Sequence, residues 1–140
     1  MGKIVAIDYG QKRIGLAYAD ESLQVALPFT TVEAVKDMPK TVELVLQALN
    51  PISKEIALFV VGLPLLMSGK EGPMAEEVRV FAELLQEKSG ISIHYFDERL
   101  TSAGIEKELK YAKVSRKKRA KKMDPLAAMR ILQGYLSSMS

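Results

Sequence analysis

Six apolar residues in a row, Ile56-Ala57-Leu58-Phe59-Val60-Val61, constrain this chain more than any other feature. A run this short and this rich in β-branched side chains has no polar face to offer water. It reads as a central strand covered on both sides, which requires a sheet with helices packed on its two faces. The flanking sequence supplies those partners. Lys3-Ile4-Val5-Ala6-Ile7 is a second buried strand, ending at the turn signal Asp8-Tyr9-Gly10. Arg13 to Ala19 and Val25 to Val32 read as two more strands. Their connections are short, so these three should form an antiparallel meander.

The period then changes. Asp37 and Pro39 mark a helix start, and Val42, Val45, Leu46 and Leu49 recur at helical spacing up to the stop at Asn50-Pro51. Gly62 to Pro73 holds three glycines and two prolines and reads as an irregular loop. A second helix carries Glu76 and Glu77 near its start, where they suit the helix dipole. Val78, Phe81, Ala82 and Leu85 form its inner stripe, and Gly90 is its stop. Ile91, Ile93 and Tyr95 alternate along a fifth strand that closes at Asp97-Glu98, and Thr101 to Ala112 reads as helical. A last helix opens at Asp124-Pro125, an N-cap with proline at the first helical position. Its inner stripe is Ala127, Ala128, Ile131, Leu132, Tyr135 and Leu136. The expected architecture is α/β: one domain over residues 1–140 with a five-stranded mixed sheet flanked by helices.

The 140 residues contain no cysteine, which excludes a disulfide scaffold, cysteine-ligated zinc and thiol catalysis. The N-terminus lacks signal-peptide anatomy, and no apolar run is long enough for a bilayer. A reducing cytoplasmic setting, with no membrane partner, is the expectation. The net charge of +3 says little, but its distribution says more. Arg116, Lys117, Lys118, Arg119, Lys121 and Lys122 crowd the stretch just before Asp124. Such a cluster gives sequence-independent affinity for a polyanion by counterion release, although a solvated loop would look the same. Lys12 and Arg13, just after Asp8, are further candidates for phosphate contacts.

Carboxylates stand at three places where chemistry is expected. Asp8 ends the first strand, Asp97 and Glu98 end the fifth, and Asp124 lies on the inward-facing stripe of the last helix. Each has a plain structural alternative: a turn aspartate, a partner for Arg99 or a cap near Thr101, and a helix cap. If strands one, four and five run parallel, however, their carboxyl ends share one edge, where α/β proteins bind ligands. Three carboxylates there would hold Mg²⁺ or Mn²⁺ without any cysteine or histidine and could support phosphodiester hydrolysis. The lone His94 reads as a half-buried strand residue. Asp97 and Glu98 are not distinguished by position alone.

These motifs resemble the YqgF/RuvX family of pre-16S rRNA nucleases. Asp8-Tyr9-Gly10 with Arg13-Ile14-Gly15-Leu16-Ala17 is similar to its N-terminal motif. Val61-Gly62-Leu63-Pro64 with Gly69 and Gly72 is similar to its central loop, and Asp97-Glu98-Arg99-Leu100-Thr101 to its third motif. Asp124-Pro125-Leu126-Ala127-Ala128 with Ile131-Leu132-Gln133-Gly134-Tyr135-Leu136 resembles its C-terminal helix. Ser102, where a second threonine is expected, is a mild departure. The resemblance spans essentially the whole chain. It implies an RNase H-like fold, an acidic triad of Asp8, Glu98 and Asp124 as catalytic and metal-holding residues, and trimming of the 5′ end of precursor 16S rRNA. It favours Glu98 over Asp97.

The same triad resembles Holliday-junction resolvases, so branched DNA stands beside precursor rRNA as a substrate. Phosphate contacts cannot separate the two. A resolvase acting symmetrically needs a dimer, whereas a trimming nuclease can act alone, so the expectation is a monomer or weak homodimer. A non-catalytic RNA-binding or ribosome-assembly module is a further alternative. Asp8-Tyr9-Gly10 also resembles the phosphate loop of actin-like kinases, but those bind nucleotide between two such domains and this chain supplies one.

Overall fold

A computed structural model describes residues 2–22, 24–100 and 125–139. The helix expected over Thr101 to Ala112, the basic segment through Lys122 and the carboxylate of Asp124 lie outside the described residues.

Strands β1 (Lys3–Asp8), β2 (Arg13–Asp20) and β3 (Leu27–Glu33) form the antiparallel meander. Helix α1 (Met38–Ala48) follows, and the Asp37 carboxylate caps it by accepting the Lys40 N–H at 3.3 Å. A 3₁₀ segment, Asn50–Glu55, leads into β4 (Ile56–Leu63), which pairs parallel with β1. Helix α2 (Pro73–Ser89) ends on Gly90, whose φ of 74° is the left-handed cap that glycine tolerates. Strand β5 (Ile93–Asp97) pairs parallel with β4 and runs into a 3₁₀ turn, Glu98–Leu100. Helix α3 (Leu126–Ser138) completes the described chain. The sheet order is β3-β2-β1-β4-β5, the five-stranded mixed sheet expected from the sequence.

The period-two alternation of the strands sorts their side chains between two cores. Val5, Ile7, Ile14, Leu16, Phe59 and Val61 face α1 and α2, where they meet Val42, Val45, Val78, Phe81 and Leu85. Ile4, Ala6, Ala17, Ala19, Val60 and Phe96 face α3, where they meet Ala128, Met129, Ile131 and Leu132. The apolar run that opened the argument is covered on both sides from Phe59 to Val61, each of these fully buried side chains contributing roughly 1.5–3 kcal/mol, whereas Ala57 near its start is exposed. Among the described residues no helix is long and apolar enough to cross a membrane.

Four details depart from the sequence expectation. β3 begins at Leu27, leaving Val25 44% exposed in the connection. Gly62 and Leu63 belong to β4, paired with Phe96 and Asp97, because the β5 ladder extends the strand past its apolar run. α3 begins at Leu126, with Pro125 at the cap position (φ −82°, ψ 59°) and no side-chain cap bond, so proline is not its first helical residue. The inner face of α3 also omits Ala127, which is exposed, and includes Met129 and Gln133. That face is turned toward the β2–β3 connection, where the Gln133 Oε1 accepts the buried Ala26 N–H at 3.1 Å.

Candidate active site

β1, β4 and β5 run parallel, so their carboxyl ends meet at one edge of the sheet. Asp8 is the last residue of β1 and pairs with Gly15 of β2. It follows Ile4 and Ala6 in the alternation, which directs its side chain to the α3 face. The first turn of α3 lies against that position. A β-carbon on Gly15 would stand 3.3 Å from Cβ of Pro125 and 3.6 Å from Cβ of Ala128.

Glu98 reaches the same face from the turn after β5. Gly62 makes room for it, since a β-carbon there would meet Glu98 Oε2 at 3.0 Å and would collide with the Ile131 side chain. Burial raises the Glu98 carboxyl above its ordinary value, and the negative charges of Asp8 and then Asp97 raise it further. Burial likewise raises Asp8. Two partly desolvated carboxylates that repel each other are therefore gathered at the sheet edge.

Asp97 is engaged differently. Its Oδ1 accepts the Arg99 backbone N–H at 2.9 Å, and the Arg99 guanidinium donates through Nε to Oδ1 at 3.1 Å and through Nη2 to Oδ2 at 2.8 Å. The Arg99 hydrogen bond holds the Asp97 carboxyl below the usual carboxylate range. Position alone left the two adjacent acids equivalent, but the structure pairs Asp97 with Arg99 and turns Glu98 toward Asp8. His94 is exposed on β5, its ring 5.0 Å from that of Tyr135.

Lys12 and Arg13 are exposed at the start of β2, beyond the turn that follows Asp8. Arg116, Lys117, Lys118, Arg119, Lys121 and Lys122 lie outside the described residues, as does Asp124, the residue bonded to Pro125. Among the described residues no three His, Cys, Asp or Glu side chains gather as a metal cluster. Asp8 and Glu98 form a pair.

Sequence reading missed the support behind Asp8. The Tyr9 hydroxyl donates to Glu77 Oε2 at 2.6 Å, and Gln11 Nε2 donates to Glu77 Oε1 at 3.0 Å. Glu77 sits 68 residues from Tyr9, so no local spacing could have signalled the contact.

The mixed sheet, its strand order and its helical layers define an RNase H-like fold. RuvC of T. thermophilus, solved in complex with a Holliday junction substrate, superposes with a TM-score of 0.62 at 14% identity, over 99% of this chain and 96% of that one. Within that class the chain belongs to the RuvX family, described as Holliday junction resolvase, whose profile matches residues 2–138. A protein of Protochlamydia amoebophila (strain UWE25) named "Putative pre-16S rRNA nuclease" is 43% identical, across 97% of this chain and 93% of the relative. Proteins of the same name from Endomicrobium trichonymphae and Clostridioides difficile (strain 630) are 41% and 40% identical. They cover 100% and 96% of this chain and 99% and 94% of their own lengths.

Proposed function

We propose that this chain is a metal-dependent nuclease that trims the 5′ end of precursor 16S rRNA, with Asp8, Glu98 and Asp124 as its catalytic, metal-holding triad. The observation that carries this reading is the convergence of Asp8 and Glu98 on one face at the carboxyl ends of parallel strands. Their oxygen-only donor set suits a hard divalent cation, Mg²⁺ or Mn²⁺. Burial disfavours the ionised form of both groups, and a cation would offset that cost. Asp124 is bonded to Pro125, which packs against the residue opposite Asp8, and this supports it as the third carboxylate. The relatives named for pre-16S rRNA make precursor rRNA the favoured substrate.

A divalent ion held there would activate the attacking water and offset charge on the leaving oxygen. The protein's own contribution is to place the oxygens. The β1–β2 ladder fixes the Asp8 backbone at Gly15, and bare Gly62 admits the Glu98 carboxylate beside it. Arg99 keeps Asp97 occupied, so that only one of the adjacent acids turns toward Asp8. Lys12, Arg13 and the basic residues Arg116, Lys117, Lys118, Arg119, Lys121 and Lys122 would bind the substrate backbone. A chain that can form no disulfide is compatible with the reducing cytoplasm, and we place it there as a monomer or weak homodimer.

The test is incubation of purified protein with end-labelled precursor rRNA and with four-way DNA junctions, in Mg²⁺, Mn²⁺ or chelator. Metal-dependent shortening of the rRNA supports the reading. Cleavage of the junction alone would replace it with a resolvase, and no cleavage of either would leave a binding module.

A further inference from the structure

We propose that Glu77 is a positioning residue for Asp8: from α2 it grips the turn after β1 on both sides of Gly10 and so fixes the direction of the Asp8 carboxylate. This inference rests on the reading of Asp8 as a metal-holding residue.

The strand end needs such a support. Asp8 has a ladder partner in Gly15 on the β2 side, whereas the β4 ladder ends one residue earlier, at Ile7 and Val61. Gly10 is compelled by the tightness of the turn, since a β-carbon there would stand 2.5 Å from the Arg13 carbonyl oxygen. Glycine itself stiffens the backbone least of all residues. The stiffness comes from its neighbours, because both oxygens of the Glu77 carboxylate are engaged, one by Tyr9 and one by Gln11. The 2.6 Å bond from the Tyr9 hydroxyl is in the short range of a charge-assisted contact. The Tyr9 ring lies 4.9 Å from that of fully buried Phe81 on the same helix.

Alternation turns this anchor into control of Asp8. Successive strand residues project to opposite faces, so Tyr9 enters the α2 layer while Asp8 faces α3. With Tyr9 pinned behind the sheet, the strand end cannot rotate, and Asp8 is presented in one direction in front of it. Glu76 already occupies the first turn of α2 and serves the helix dipole there. Glu77 lies beyond that turn, and its contacts run to the Asp8 segment.

The experiment compares Glu77→Ala, Glu77→Gln, Tyr9→Phe and the double variant Tyr9→Phe/Glu77→Ala. Mn²⁺ binding is followed by electron paramagnetic resonance on protein holding a phosphorothioate RNA that resists cleavage. Single-turnover cleavage across a Mg²⁺ titration and RNA affinity in chelator complete the set. Glu77→Ala should raise the half-saturating Mn²⁺ concentration and slow cleavage at limiting metal by on the order of 10- to 100-fold, the scale of a small misplacement of a reacting group. RNA affinity in chelator should stay within about twofold, since backbone contacts by basic residues supply it. Glu77→Gln keeps an acceptor for Tyr9 and should recover most of the loss. The double variant should be no worse than its worse parent, because the two residues act as one clamp.

An unchanged Mn²⁺ midpoint and cleavage rate in folded Glu77→Ala, or in Tyr9→Phe if Glu77→Ala does not fold, would overturn the proposal. So would a drop in melting temperature accompanied by lost RNA affinity at an unmoved metal midpoint, the mark of a merely structural contact. If the unmodified protein neither binds Mn²⁺ nor cleaves, the metal-site reading itself fails and this inference falls with it, an outcome visible before any variant is made.

Discussion

Glu98 lies against the bare Cα of Gly62, with Oε2 3.0 Å from where a β-carbon would stand. The carboxylate on the fifth strand's turn can therefore reach the Asp8 side only because the intervening strand withholds a side chain. Gly62→Ala should push Glu98 out of place and press on Ile131. The expected result is a loss of stability of about 1–3 kcal/mol from overpacking, and cleavage that falls further than stability alone explains. Urea unfolding and single-turnover cleavage read the two effects, and a folded Gly62→Ala protein with a normal rate would show that Glu98 does not need the gap.

Asp8→Asn should nearly abolish cleavage while sparing RNA binding. It should also stabilise the metal-free protein, because burial raises the Asp8 carboxyl and ionisation therefore opposes folding. The sign follows from linkage. Below the unfolded pKa both states carry the proton and the penalty is absent; it grows as pH rises through the folded value and is complete above it. Thermal melts in chelator should show an advantage for Asp8→Asn at neutral pH that disappears in acid. An advantage that instead grows toward acid would contradict the burial of this group.

The neighbouring acids should separate cleanly. Glu98→Gln should stop cleavage, whereas the Asp97 carboxylate is committed to Arg99. A surface pair of this kind contributes little, so Asp97→Asn should slow cleavage far less than Glu98→Gln does. Equal loss in both variants, measured at saturating enzyme and metal, would mean that Asp97 shares the role assigned to Glu98.

Replacing Lys117, Lys118, Lys121 and Lys122 by glutamine should weaken nucleic-acid binding and flatten its salt dependence, by roughly 0.7 in slope for each lost contact to a single strand. Lys12→Gln with Arg13→Gln should add a smaller change of the same sign. Filter binding over a range of KCl concentrations gives the slope directly. A slope unchanged by the fourfold replacement would remove this segment from the phosphate-binding surface.

The parts of this architecture written in short runs were readable from the sequence. The apolar runs Ile4–Ile7 and Ile56–Val61 read as strands, the second buried from Phe59 onward, and the spacing of Val78, Phe81, Ala82 and Leu85 read as one face of a helix. Asp8 and Glu98 were legible as candidates because each closes a strand. Their meeting depended on the parallel sense of β1, β4 and β5, which the sequence supported only as a condition. What escaped is what depends on distant surfaces. The buried face of α3 is turned by its contact with the β2–β3 connection, so Met129 replaces Ala127, a rotation no heptad count reveals. The separation of Asp97 from Glu98 depends on where one guanidinium folds back, and the Glu77 contacts join residues 68 and 66 positions apart in the chain.

The face shared by Asp8 and Glu98 is roofed by α3, whose Ala128, Met129, Ile131 and Leu132 cover Ile4, Ala6 and Val60. Measured along the ribosome's order of synthesis, that roof arrives more than a hundred residues after Asp8 has emerged. A nascent chain can therefore assemble the meander and the α1–α2 layer while its front face remains an open apolar surface. Docking of α3, which follows the sheet in the chain, then turns that open surface into the covered face that Asp8 and Glu98 share.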